Sequence, residues 1–386
     1  MKLISLAIFL LLSPLLASAE FKMVQAATQV CCDGIAETVW QTSVSPGGEH
    51  DRIGLHRYKK VGVPSKGALL YLPGTNMNGQ LAIADEEHNL WLYLAKRGIT
   101  VYALDYRTYF LGSDDREDFS FMAHWTVDAF VEDARLATSF IAGQQPDQPL
   151  FVAGFSRGVT FAYGLASTDA KLDGLIALDG GFKSWRQESF DRAAALAALK
   201  KNENYASILS RSRGWDNRQA LMNGVYENPQ GPALSDRYKS IGEQLTQTLY
   251  RSWGAGRLAN PVDGISDIRM LARLMTFYDR FYPMIQNIEG RSIASQDDDP
   301  ATPVDDRWGK LELPVYYIGS ANFGGDSLLS GIYSAAKSGS KDVTVSVLEN
   351  YGHIDVLVGA EAKSDVYQPV LEWMLERLPS GSEMPW

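Results

Sequence analysis

Gly154-Phe-Ser-Arg-Gly158 sets a serine between two glycines, directly after the apolar run Pro149-Leu-Phe-Val-Ala153. A serine hydroxyl is a weak nucleophile and needs a base beside it. The chain has five histidines, His50, His56, His88, His124 and His353. Only His353, in Asn350-Tyr-Gly-His-Ile-Asp355, follows the last strand-like apolar run. His56 falls in a hairpin, and His88 and His124 lie in or before helices, which suits framework roles. A histidine base needs an acid to orient it. Asp326 follows one such run, in Ile318-Gly-Ser-Ala-Asn-Phe-Gly-Gly-Asp326, and Asp179 another, in Ala177-Leu-Asp-Gly-Gly181. Asp326 is the expected partner, because Gly319, Gly324 and Gly325 free its loop to swing the carboxylate towards the histidine; Asp326 could also cap the helix that follows. Asp179-Gly-Gly reads as an exit into the next segment and stands as the alternative. Asp355 is expected to stiffen the histidine loop.

Such a set performs acyl transfer. Ser156 attacks, His353 moves the proton, and the acid holds the imidazole. The tetrahedral intermediate needs donors for its oxyanion. The loop Tyr71-Leu-Pro-Gly-Thr-Asn-Met-Asn-Gly79 offers the N–H of Thr75, with Asn76 as second choice. The N–H of Arg157 offers the other.

These residues work together only if the chain brings them to one place. Short apolar runs at Ala68–Leu72, Thr100–Asp105, Leu150–Ala153, Gly174–Asp179, Val315–Ile318 and Val343–Leu348 read as strands buried on both faces. Thr126 can cap a helix that buries Val127, Phe130, Val131, Ala134 and Ile141. Arg157 to Ala166 and Ser364 to Arg377 read as further helices. Thr38 to Val44 and Arg52 to Tyr58, joined by a Ser45-Pro-Gly-Gly48 turn, form a leading hairpin. The pattern predicts an open, mostly parallel, doubly wound α/β sheet. Loops at the carboxyl ends of its strands gather on one edge, where Ser156 and His353 would meet. Residues 182–310 interrupt the rhythm and read as a helical cap insertion. Within it Ile268, Leu271, Leu274, Met275, Tyr278, Phe281 and Tyr282 recur at helical spacing across Ile265 to Met284.

The chain has 386 residues, 45% of them hydrophobic, and a formal net charge of −10 without a basic cluster. Nucleic acid and anionic membrane surfaces would be repelled. Met1-Lys2, the apolar run Leu3 to Leu16 and Ala17-Ser-Ala19 have the form of a secretory signal peptide, cleaved before Glu20. The expected product is exported, periplasmic or secreted, and no other stretch is long enough to span a membrane. The adjacent Cys31 and Cys32 cannot build a disulfide framework and are expected to have no catalytic role. No motif calls for a cofactor or metal.

A nucleophile elbow, an acid, a histidine and an oxyanion loop in this order resemble the α/β-hydrolase superfamily over residues 37–180 and 311–380. The resemblance implies a core of residues 20–181 and 311–386 with a cap at 182–310. Leu104-Asp-Tyr-Arg107 is similar to a D-x-R stretch of the superfamily, expected to be structural. Gly352-His-Ile-Asp-Val-Leu-Val-Gly359 is similar to the H-x-D-x-x-x-G stretch of the acid lipases, but Pro73-Gly74 stands where those enzymes begin the oxyanion loop with His-Gly. The implied activity is hydrolysis of a small-molecule or lipid-like carboxylic ester by an exported, cofactor-independent enzyme. An amidase or peptidase with the same triad, and a binding protein of the same fold, are the alternatives.

Overall fold

The computed structural model describes residues 20–31, 34–112, 118–186, 188–207, 212–250, 266–295 and 303–379. The proposed signal peptide and Cys32 lie outside these residues. The strands are β1 (Lys22–Cys31), β2 (Ile35–Ser43), β3 (Arg52–Lys60), β4 (Gly67–Leu72), β5 (Ile99–Asp105), β6 (Leu150–Phe155), β7 (Gly174–Leu178), β8 (Val315–Ser320) and β9 (Val343–Leu348). They form one nine-stranded sheet in the order β1-β2-β3-β5-β4-β6-β7-β8-β9. β1 to β3 pair antiparallel, as do β3 and β5; β5, β4, β6, β7, β8 and β9 pair parallel.

The parallel strands β4 to β8 are buried on both faces because their alternate residues feed two separate cores, whereas β9, expected to be buried as well, is the sheet's edge strand and leaves Val345 and Val347 exposed. Leu69, Tyr71, Phe151, Ala153, Ile176 and Leu178 pack on one side. Leu70, Leu72, Val152, Leu175 and Ala177 pack on the other. This is what period-two side-chain alternation gives when helices cover both faces. The covering helices include α1 (Leu90–Lys96), α2 (Val127–Gln144) and α3 (Arg157–Ala166). The Thr126 hydroxyl accepts the Ala129 N–H at 3.0 Å and caps α2.

Strand β1 has no counterpart in the sequence reading. It is an edge strand, mostly exposed, and its register with β2 shifts repeatedly, so it carries no clean alternation. The described parts of the interval between β7 and β8 include the helices Arg192–Asn202, Ser212–Glu227, Ile241–Leu245, Ile268–Thr276 and Ile285–Ala294. The helical spacing expected as far as Met284 stops at Thr276. From there the chain leaves the helix, and the Asp279 N–H donates to the Asn76 carbonyl while the Asn76 side-chain amide donates to the Asp279 carbonyl. No helix among the described residues is long and apolar enough to cross a membrane.

Candidate active site

Ser156 sits at the junction of β6 and α3 with φ 54° and ψ −119°. A non-glycine residue held there stores of order 1–3 kcal/mol of strain, sustained only by its surroundings. Those surroundings are explicit. The Ser156 N–H donates to the Leu178 carbonyl of β7 at 3.0 Å, and the Val159 N–H donates to the Ser156 carbonyl at 3.0 Å. The flanking glycines are demanded by close approach. A Cβ on Gly154 would strike the Gly158 carbonyl, and one on Gly158 would strike the carbonyl of Leu72 at the end of β4. The turn can therefore be this sharp only with glycine on both sides.

The His353 ring is sandwiched between Phe155 and Phe323, with centroids at 4.7 and 4.0 Å. Phe155 precedes Ser156 in the chain, and Phe323 lines the same cleft as Ser156. The loop beneath is stiffened by fully buried Asp355, whose carboxylate accepts the Gly352 N–H at 2.8 Å and the Ser266 hydroxyl.

The partner of His353 is Asp179. His353 Nδ1 lies 2.7 Å from Asp179 Oδ2, with both side chains buried. The same carboxylate accepts the N–H and the hydroxyl of Ser320, each at 2.7 Å. This corrects the expectation for Asp326. That residue lies in the first turn of the helix Gly325–Ala336 and is largely exposed, paired with Arg186 at 2.8 Å and Trp185 Nε1 at 3.2 Å. Its glycine-rich loop does have freedom, but it spends that freedom in starting a helix at the rim. Asp179 instead takes a positive φ of 46° at the end of β7, the strand between those of Ser156 and Ser320. Ser320 itself gave no signal in the sequence.

Thr75 and Arg157 both line the cleft with Ser156. Neither backbone N–H has a hydrogen-bond partner among the described residues. Two unpaired donors beside one hydroxyl are what an anion-stabilising pocket requires. The cleft encloses about 390 Å³ and is closed on one side by Gly290 and Ala294 of the helix Ile285–Ala294.

The loop that carries Thr75 is held from two directions. In the Leu104–Arg107 stretch, Asp105 accepts the Gly79 N–H at 2.8 Å and pairs with His56 at 2.8 Å. His56 also meets Glu37, and the two carboxylates raise its pKa to about 10 against the opposing effect of burial. Arg107 makes a two-pronged contact with Asp133 at 2.7 and 2.8 Å and a third bond to Asp51 at 2.7 Å. His88 is likewise taken, by Asp85 at 2.8 Å. From the other side Asp279 approaches. Its N–H donates to the Asn76 carbonyl at 2.6 Å, Asn76 Nδ2 donates to its carbonyl at 2.9 Å, and Asn78 Nδ2 reaches its carboxyl at 2.8 Å. The Thr108 hydroxyl lies 2.6 Å from the other carboxyl oxygen.

Burial pushes the Asp279 carboxyl up to about 8, from 3.8 when free, and nearby Asp105 adds to the rise. The folded chain thus keeps a proton that the unfolded chain releases. The contribution of Asp279 to stability falls as pH climbs from near 4 to near 8 and is constant above that. Asp279→Asn keeps the shape and the donor pattern of the neutral acid. Urea denaturation at about pH 5 and about pH 8 is expected to show a smaller fall for this variant than for wild type, by about 2 kcal/mol or more. Equal falls would show that Asp279 is already ionised in the folded state.

Among the described residues no group of three or more His, Cys, Asp or Glu side chains is placed to hold a metal. None of the curated protein sequences matches this chain. Among solved structures, a "putative lipase" of Sulfolobus solfataricus is similar at 23% identity and a TM-score of 0.76, covering 93% of this chain and 99% of that one. A peroxisomal α/β-hydrolase of Saccharomyces cerevisiae is similar at 10% identity and a TM-score of 0.50, covering 95% of this chain and 91% of that one. Both likenesses are of fold. Residues 69–364 match the profile of the Alpha/beta hydrolase family, a span that runs from β4 through Ser156 and Asp179 to beyond His353. With its strained serine between β6 and α3 and its mostly parallel sheet, the chain belongs to the α/β hydrolase family.

Proposed function

We propose that this α/β hydrolase cleaves carboxylic esters through an acyl-enzyme formed on Ser156. The observation that carries the reading is the buried His353–Asp179 pair, set beside a cleft where Ser156 shares the lining with two unpaired N–H groups. With Nδ1–H donating to Asp179, the Nε2 of His353 is the nitrogen that takes the Ser156 proton. The Ser156 oxygen attacks the acyl carbon, and the N–H groups of Thr75 and Arg157 hold the oxyanion. The imidazolium then protonates the leaving alcohol. Water, deprotonated by the same imidazole, releases the acid and restores the serine. The helices within residues 182–310 act as a cap, since one of them, Ile285–Ala294, walls the cleft. The export proposal rests on the signal-like pattern of residues 1–19.

A fluorophosphonate probe tests the reading. It is expected to label wild type at Ser156, identified by peptide mass spectrometry, and an ester is expected to turn over faster than the matched anilide. Labelling elsewhere, or faster anilide cleavage, would reject an esterase working through Ser156.

A further inference from the structure

We propose that the Arg157 side chain is an anion subsite, and that the preferred esters carry a carboxylate a few bonds from the scissile carbonyl. This rests on the esterase reading above and adds a substrate class to it.

The charges that line the cleft are paired, with one exception. Asp179 is matched by His353, Asp326 by Arg186 at 2.8 Å, and Lys183 by Asp305 at 2.5 Å. Arg157 is the exception. Its guanidinium contacts Asn287 Oδ1 at 3.2 Å, a neutral acceptor, and has no carboxylate partner among the described residues. Glu289, two residues beyond Asn287, is turned away to the Val127 N–H at 2.6 Å and to Arg192 at 3.3 Å. A partly buried cation without a counter-charge is costly to maintain and favours any anion that can reach it.

The place is shaped to keep the guanidinium there. A Cβ on Gly290 would occupy the position of its Nη1 atom. The remaining walls suit a polar substrate better than a long acyl chain. Thr160, Ser184, Ser327 and Ser330 line the cleft, against Phe182 and Phe323 as its aromatic members. Because Arg157 directly follows the nucleophile, the recognised carboxylate belongs close to the reacting ester. A half-ester of a short dicarboxylic acid meets this description.

The test compares monoethyl succinate with ethyl butyrate, which differ in a terminal carboxylate against a methyl group. The readout is the ratio of their kcat/KM values on one enzyme, so a general loss of activity cancels. Wild type is expected to favour the succinate half-ester by roughly tenfold or more, and added salt to reduce the ratio. Arg157→Gln is expected to lower the ratio roughly 10- to 100-fold, the range of a charge-assisted hydrogen bond. Arg157→Lys is expected to retain part of it. The wild-type ratio and its salt response need no variant, so they decide the matter even if Arg157→Gln fails to fold. A wild-type ratio at or below one, or one unchanged in Arg157→Gln, overturns the subsite while turnover of ethyl butyrate leaves the esterase standing. Turnover of neither ester removes both.

Discussion

Asp179→Asn is expected to lower kcat by about 10⁴-fold with the fold intact, the scale seen when a triad acid is replaced by its amide. The reason lies in Ser320. Its N–H donates to Asp179 Oδ1 at 2.7 Å and must keep an acceptor. The asparagine oxygen is therefore held at that position, and its NH₂ group faces His353 Nδ1. The imidazole can then meet the amide only as an acceptor at Nδ1, which moves its proton to Nε2. That nitrogen can no longer take the Ser156 proton. Asp326→Asn is expected to stay within about fivefold of wild type, because exposed ion pairs are worth about 1 kcal/mol or less. Steady-state kinetics on both variants, with circular dichroism as a folding check, decide the assignment. Collapse of Asp326→Asn with survival of Asp179→Asn would restore the acid expected from the sequence.

Ser156→Ala is expected to remove turnover by about 10⁶-fold, the cost of losing the serine of a comparable triad. It is also expected to relieve no fold-defining contact. The Ser156 hydroxyl is not among the groups that hold the elbow together; backbone bonds to Leu178 and Val159 do that. The unfolding midpoint should stay near wild type, and the fluorophosphonate label should disappear. Residual hydrolysis within about tenfold of wild type would show that the nucleophile lies elsewhere, because an uncoupled site retains little of the triad's rate.

What the sequence disclosed follows from which interactions are local. β4 to β8 were legible as apolar runs because each is buried on both faces. The placement of Ser156 at a strand-to-helix turn was legible from two glycines whose absent side chains are a steric necessity. The choice between Asp179 and Asp326 was not. Both follow parallel strands, and the choice turns on where the histidine loop folds back and on two donors from Ser320, all distant in sequence. Glycine content gave the wrong cue, since flexibility in the Asp326 loop says nothing of its direction. The stripe from Ile268 to Tyr282 misled for a related reason. Helical periodicity persists after Thr276, but backbone pairing of Asp279 with Asn76 outweighs it. β1 has no pattern to read because its side chains face water on the sheet edge.

The bonds from Asn76, Asn78 and Thr108 to Asp279 have a consequence for how such enzymes can be recombined. The segment around Asp279 and the loop that carries Thr75 are stitched to each other, backbone included. A chimera that exchanges residues 182–310 for those of another hydrolase would cut these stitches and leave Asn76, with its φ of 61°, unsupported. A graft of that kind is expected to displace the Thr75 N–H, the donor proposed for the oxyanion, and so to lower kcat along with raising KM. Transplants that carry residues 73–79 together with 277–282 as a matched pair keep the joint whole. The two stretches, distant in sequence, are expected to work only when they move together.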